Sequence, residues 1–149
     1  MDYQIRIAEA DDAAAISQVI VAALRTSNAR DYPASVIERV ERNFSPAAIS
    51  ALMEKRRVFV ALIDRQIVGT ASLDGRAVRS VFVAPDLQGK GIGRQLMQGI
   101  EQTARQTGLT SLAVPASVTA ESFYATLGYV AVREVLEGEE RTVVMEKVL

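Results

Sequence analysis

The segment from Val78 to Arg94 constrains this chain more than any other. Val78 to Val83, apolar apart from Arg79 and Ser80, reads as a buried strand. Pro85 ends it, because proline has no N–H to give to a sheet ladder. From Ile92 the period becomes helical: Ile92, Leu96 and Ile100 recur at every fourth position with polar residues between. Gly89, Gly91 and Gly93 therefore lie at a strand-to-helix junction. There the first amides of the helix have no partner and the helix dipole places partial positive charge. Glycine lets a ligand approach the backbone without a Cβ in the way. Gln88 adds neutral donors, and Lys90 and Arg94 add cations. The junction predicts an anion site, with phosphate as the anion that fits it. The alternative is a glycine-rich turn that only lets strand and helix pack closely.

Two common phosphate loops do not fit. A dinucleotide fold asks for G-x-G-x-x-G, but position 94 is arginine, and no acidic residue follows about twenty positions on, around Val114. The triphosphate loop G-x-x-x-x-G-K-[ST] occurs nowhere in the chain. What remains is Gln88-x-x-Gly91-x-Gly93 after Val83-x-Pro85. It resembles the acetyl-coenzyme A pyrophosphate loop of the GNAT N-acetyltransferase superfamily.

Composition narrows the choices further. A length of 149 residues suits one domain over 1–149, large enough for a core without metals or crosslinks. Seventeen basic and eighteen acidic residues leave no excess of positive charge for nucleic acid. The absence of cysteine removes disulfides and a thiol nucleophile; the absence of histidine removes the usual general base. The polar start Met1-Asp2-Tyr3-Gln4 runs into a strand pattern, so no signal peptide is expected. Apolar runs are too short to span a membrane. A cytoplasmic protein is the expectation, and a homodimer is left open.

Read in order, Tyr3 to Ala8 alternates as a strand with Ile5 and Ile7 on the core face. Asp11 or Asp12 can cap a helix with a stripe of Ile16, Val19, Ile20, Ala23 and Leu24. Val36, Ile37 and Val40 support a second helix. Ser45-Pro46 starts a third, cap followed by proline. Arg57–Ile63, Gln66–Leu73 and Arg76–Val83 read as an antiparallel meander with turns at Asp64-Arg65 and Asp74-Gly75. A helix from Gly91 to about Thr107, a short strand Ser111–Val114 ended by Pro115, and a helix from about Val118 to Leu127 follow. Strands Tyr129–Leu136 and Arg141–Val148 form a last hairpin. With the first strand followed by two or three helices, the order is read as β-α-α-β-β-β-α-β-α-β-β, the order of GNAT enzymes. The resemblance implies a mixed α/β (α+β type), mostly antiparallel sheet of about seven strands with helices on both faces.

A second motif, Ala120-x-x-Phe123-Tyr124-x-x-x-Gly128-Tyr129, carries the rest of the resemblance. Phe123 reads as a core aromatic. The resemblance makes Tyr124 the phenol that protonates the departing thiolate of coenzyme A; a phenol with pKa near 10 stays protonated at neutral pH. It also makes Phe82 and Val83 the source of backbone amides facing the acetyl group. Ser117 stands where the family commonly has an asparagine that binds the pantetheine arm, and it can equally serve as a helix N-cap. Ala77 stands where many relatives carry a glutamate base. The base is then another carboxylate, a water chain or bulk solvent; Glu134, Glu137, Asp31 and Glu38 are the carboxylate candidates by position, each of which also reads as a solvated charge. The implied activity is acetyl transfer from acetyl-coenzyme A to a primary amine of a small molecule or peptide, by direct attack in a ternary complex. A catalytically silent acyl-coenzyme A binding or sensing module is the alternative. A relative acetylating aminoacyl-tRNA would need a basic groove, and Lys55-Arg56-Arg57 is the one basic cluster.

Overall fold

In the computed structural model, which describes residues 3–149, seven strands form one sheet in the order β1-β2-β3-β4-β5-β7-β6. The strands are β1 (Gln4–Ile7), β2 (Arg57–Ile63), β3 (Gln66–Asp74), β4 (Ala77–Val83), β5 (Ser111–Ser117), β6 (Val130–Glu137) and β7 (Glu140–Val148). Five helices flank them: α1 (Ala13–Thr26), α2 (Ala34–Arg42), α3 (Pro46–Lys55), α4 (Ile92–Gln106) and α5 (Glu121–Thr126). Every neighbouring pair is antiparallel except β4 with β5, which are parallel. Met1 and Asp2, read from the sequence as a polar lead into β1, lie outside the described residues. Among the described residues no helix is long and apolar enough to cross a membrane.

The nearly unbroken apolar run of β2 is explained by helices on both faces of the sheet. Side chains alternate across a strand. Val58, Val60 and Leu62 pack with Ile16, Ile20, Ile37 and Ile49 of α1–α3, while Phe59 and Ala61 join Ile92, Leu96, Met97 and Ile100 of α4 on the other face. α3 starts as its sequence predicts: Ala48 N–H donates to Ser45 Oγ at 3.2 Å, with Pro46 in the first position. α4 is held to the sheet end by Glu101, whose carboxylate accepts from Tyr129 Oη at 2.9 Å and Lys147 Nζ at 3.0 Å.

Three expectations are corrected. Ile7 is 52% exposed, because α4 covers β1 at Ile5 and does not reach Ile7. Asp12 does not cap α1 through its side chain. Its carboxylate instead accepts from Arg6 Nη1 and from Glu9 N–H, both at 2.7 Å. Pro115 does not end β5, which runs on to Ser117 in full register with β7. The reason lies on the other side of the strand. Ala113 N–H points to β4, donating to Arg76 O at 3.0 Å, and backbone N–H directions alternate, so the nitrogen of Pro115 points the same way. There β4 and β5 register only at Ala77 opposite Ala113. The missing N–H thus falls in a gap where no ladder needs it.

Candidate active site

The gap between β4 and β5 is the floor of a cleft of about 780 Å³. Its wide end is the β4–α4 junction. Gly89 and Gly91 adopt φ of +78° and +89°, a region that glycine enters without steric cost. A Cβ built on either would meet nothing within 4 Å, so the space above the loop is open. The first α4 turn is closed by Gln95 N–H donating to Gly91 O at 3.0 Å. The amides of Ile92, Gly93 and Arg94 precede that bond and have no intrahelical acceptor. Arg94 lines the cleft and, among the described residues, has no ion-pair partner.

Several loop residues also make structural contacts that the sequence did not suggest. Gly93 is a packing position: an added Cβ would lie 3.0 Å from Cζ of Phe123, so this glycine seats a ring of α5 on the start of α4. Gln88 lines the cleft and stays exposed, its amide donating to Ser27 Oγ at 3.0 Å and to the Val83 carbonyl at 3.3 Å. Lys90 does not line the cleft; its carbonyl accepts from Tyr3 Oη at 2.8 Å.

The middle of the cleft is shaped by a bulge in β4. Thr70 pairs with Phe82 and Ser72 with Arg79, so Ser80 and Val81 together oppose Ala71. Ser80 has φ of +57°, an uncommon conformation for a residue with a Cβ, and such strain gathers at functional sites. Nothing in the sequence marks Ser80 for this. Beyond the bulge, Ala84 N–H donates to Val68 O at 2.8 Å. By alternation Phe82 N–H also faces β3, whereas Val83 N–H and C=O face the gap. Of the two amides expected at the acetyl group, only that of Val83 therefore points to the gap. Phe82 lines the cleft with its ring, edge-on to Phe44 at 5.8 Å.

Tyr124 reaches the same cleft from α5. It is 4% exposed, with its ring edge-on to Phe123 at 5.1 Å and to Tyr129 at 5.9 Å. Among the described residues no group hydrogen-bonds its hydroxyl, and the oxygen is not sealed from the cleft. Burial pushes this phenol above its ordinary pKa, so it is protonated at neutral pH. Ser117 lines the cleft and sits at the N-cap of the turn before α5 without a side-chain cap bond. Of the carboxylates, Glu140 lines the cleft, with Oε2 2.8 Å from Arg39 Nη2. Glu134 is held by Arg141, Asp31 accepts from Thr119 Oγ1 at 2.8 Å, and Glu38 and Glu137 are exposed; none of these four lines it. Ala77, at the narrow end, brings no base. Among the described residues no acidic cluster could hold a metal ion.

The chain as a whole matches known proteins. A family model described as an acetyltransferase (GNAT) domain fits residues 28–149. A GCN5-related N-acetyltransferase structure from Rhodopseudomonas palustris superposes with a TM-score of 0.93 at 28% identity, covering 100% of this chain and 97% of that one. PaiA N-acetyltransferase from Thermoplasma acidophilum, in complex with coenzyme A, gives 0.87 at 18% identity with 100% of both chains covered. YncA from Salmonella typhimurium, with its cofactor acetyl-CoA, gives 0.65 at 23% identity over 98% of this chain and 93% of that one. The last two share the fold. The chain belongs to the GNAT acetyltransferase family.

Proposed function

We propose that the protein transfers the acetyl group of acetyl-coenzyme A to a primary amine by direct attack in a ternary complex. The observation that carries this reading is the single cleft in which the open glycine loop, the outward Val83 amide and the Tyr124 phenol meet. The residues present fit coenzyme A. The amides of Ile92, Gly93 and Arg94 and the Arg94 guanidinium suit its pyrophosphate, and the gap between β4 and β5 suits its pantetheine arm. Ser117 stands on the β5 wall of that path.

Acetyl-coenzyme A supplies a thioester carbonyl, which a neutral amine attacks as the C–S bond breaks. Val83 N–H points to where negative charge gathers on the carbonyl oxygen and stabilises it. Tyr124 gives its phenolic proton to the leaving sulfur. The proton lost by the amine passes to water or to Glu140, the carboxylate on the cleft wall. A catalytically silent acyl-coenzyme A module is the competing reading, favoured by Ala77 and by the tie between Glu140 and Arg39.

Thiol release with a panel of amines separates the two, and Tyr124→Phe tests the acid. The substitution keeps the ring contacts, so the melting temperature should move little. The kcat should fall by a factor of about 10²–10⁴, with coenzyme A affinity changed far less. A Phe variant with full turnover would reduce Tyr124 to packing. No thiol release with any amine, beside tight coenzyme A binding, would favour the silent module.

A further inference from the structure

Past the bulge, on the face covered by α1–α3, the cleft holds a guanidinium that the proposed transfer leaves without a task. Arg56 follows α3 directly and lines the cleft with Asn43, Phe44 and Ser80. Its side chain is only 17% exposed. Among the described residues the guanidinium makes one hydrogen bond, from Nη1 to Ser80 Oγ at 3.3 Å. Asp74 is the nearest carboxylate, but it sits 3.8 Å from Arg56 Nε and lies nearer to Arg79, at 3.2 Å. Two arginines thus share one aspartate, and that corner carries a net positive charge. A guanidinium has five N–H donors in a planar fork. No buried donor is left unpartnered among the described residues, so the donors that Ser80 does not use are not sealed in the interior, and Arg56 lines the cleft. Burial also pulls the Arg56 pKa down, an effect that a carboxylate partner would reverse.

Resting on the acetyltransferase reading, we infer that Arg56 and Ser80 form a carboxylate subsite, so that the acceptor is an amine that also carries a carboxylate, as an amino acid does. The planar fork of Arg56 matches the two oxygens of a carboxylate. Ser80, in the bulge, and Val83, three residues further along β4, line the same cleft, which joins the anion subsite to the place where the amine must react. Phe44 and Phe82 form the apolar wall beside it.

The test uses the full chain with coenzyme A or acetyl-coenzyme A and two readouts. Amino acids and their carboxamides are compared by thermal stabilisation of the coenzyme A complex and by thiol release, in wild type and Arg56→Met. Expected are stabilisation by free amino acids but not carboxamides, a kcat/KM preference for the carboxylate of about 10- to 100-fold, and loss of both in Arg56→Met. Equal behaviour of carboxylates and carboxamides in wild type, or a preference that survives in Arg56→Met, overturns the subsite. Turnover without carboxylate preference overturns the subsite and leaves acetyl transfer standing. Carboxylate-specific stabilisation lost in Arg56→Met without thiol release keeps the subsite and removes acetyl transfer. Should Arg56→Met fail to fold, Arg56→Lys keeps the charge without the fork. It should show a reduced preference, and an undiminished one overturns the idea.

Discussion

Two glycines on α4 are predicted to respond to alanine with opposite sign. Gly99 lies in the helix interior, and a Cβ there would meet Ile5 Cγ2 at 3.5 Å, an ordinary contact. Gly99→Ala removes a poor helix former and should stabilise the fold by about 0.5–1 kcal/mol. Gly93 lies in the first turn, and its Cβ would stand 3.0 Å from Cζ and 3.3 Å from Cε1 of Phe123. Since ordinary contact begins near 3.4 Å, the ring must retreat by a few tenths of an ångström. Overpacking of this kind costs about 1–3 kcal/mol, against a propensity gain of at most about 1 kcal/mol. Gly93→Ala should therefore destabilise by about 1 kcal/mol. The two variants should differ by about 2 kcal/mol, or roughly 4–8 °C in melting temperature for a domain of this size. Thermal and urea unfolding read this directly. Combining Gly93→Ala with Phe123→Leu should recover part of the loss, with a coupling energy above about 0.5 kcal/mol. If Gly93→Ala stabilises as much as Gly99→Ala, or if the double mutant is additive, Phe123 does not rest on Gly93 and the account of how α5 is seated fails.

Two other outcomes are expected. At Gly91, with φ of +89°, Ala and Asp should both cost stability, by up to about 1–2 kcal/mol, but only Gly91→Asp should weaken coenzyme A beyond the Ala variant; equal affinities by calorimetry would place the pyrophosphate elsewhere. The Asp12 carboxyl is held below its ordinary range chiefly by its hydrogen bond to Arg6, then by Glu9 N–H. Its contribution is present above the unfolded-state value and is lost as pH falls through the lower folded value. Wild type should therefore exceed Asp12→Asn in stability at neutral pH and converge with it below about pH 4. Parallel pH profiles of the two proteins would count against the pair.

Most of the architecture was legible because the signals are local. Ser45-Pro46 marks a helix start, the double-sided apolar run of Arg57–Ile63 marks a covered strand, and Val83-x-Pro85 with the glycines marks the junction before α4. What was not legible depends on neighbours remote in sequence. Whether Val83 or Phe82 turns its amide to the gap follows from the register with β3, and the bulge sets that register without a signature at Ser80. Gly93 and Phe123 are thirty positions apart, so a glycine in a ligand-like pattern could not be recognised as a seat for a ring. Gln88 faced the same difficulty: its amide is claimed by Ser27, at the end of α1. Arg56 reads in sequence as one member of a basic triplet, and only burial beside Ser80 sets it apart.

The proline in β5 bears on how the cleft behaves when it is empty. A gap between two parallel strands would ordinarily be a metastable opening, since each pair of facing N–H and C=O groups gains by closing. At position 115 one of those groups does not exist. The strands have one fewer reason to zip together when the cleft is empty, and position 115 itself has no donor to leave unpaired while they stay apart. A molecule entering the gap therefore displaces water and not a competing strand pair. The opening is part of the resting state, so less of the binding free energy goes into forming it.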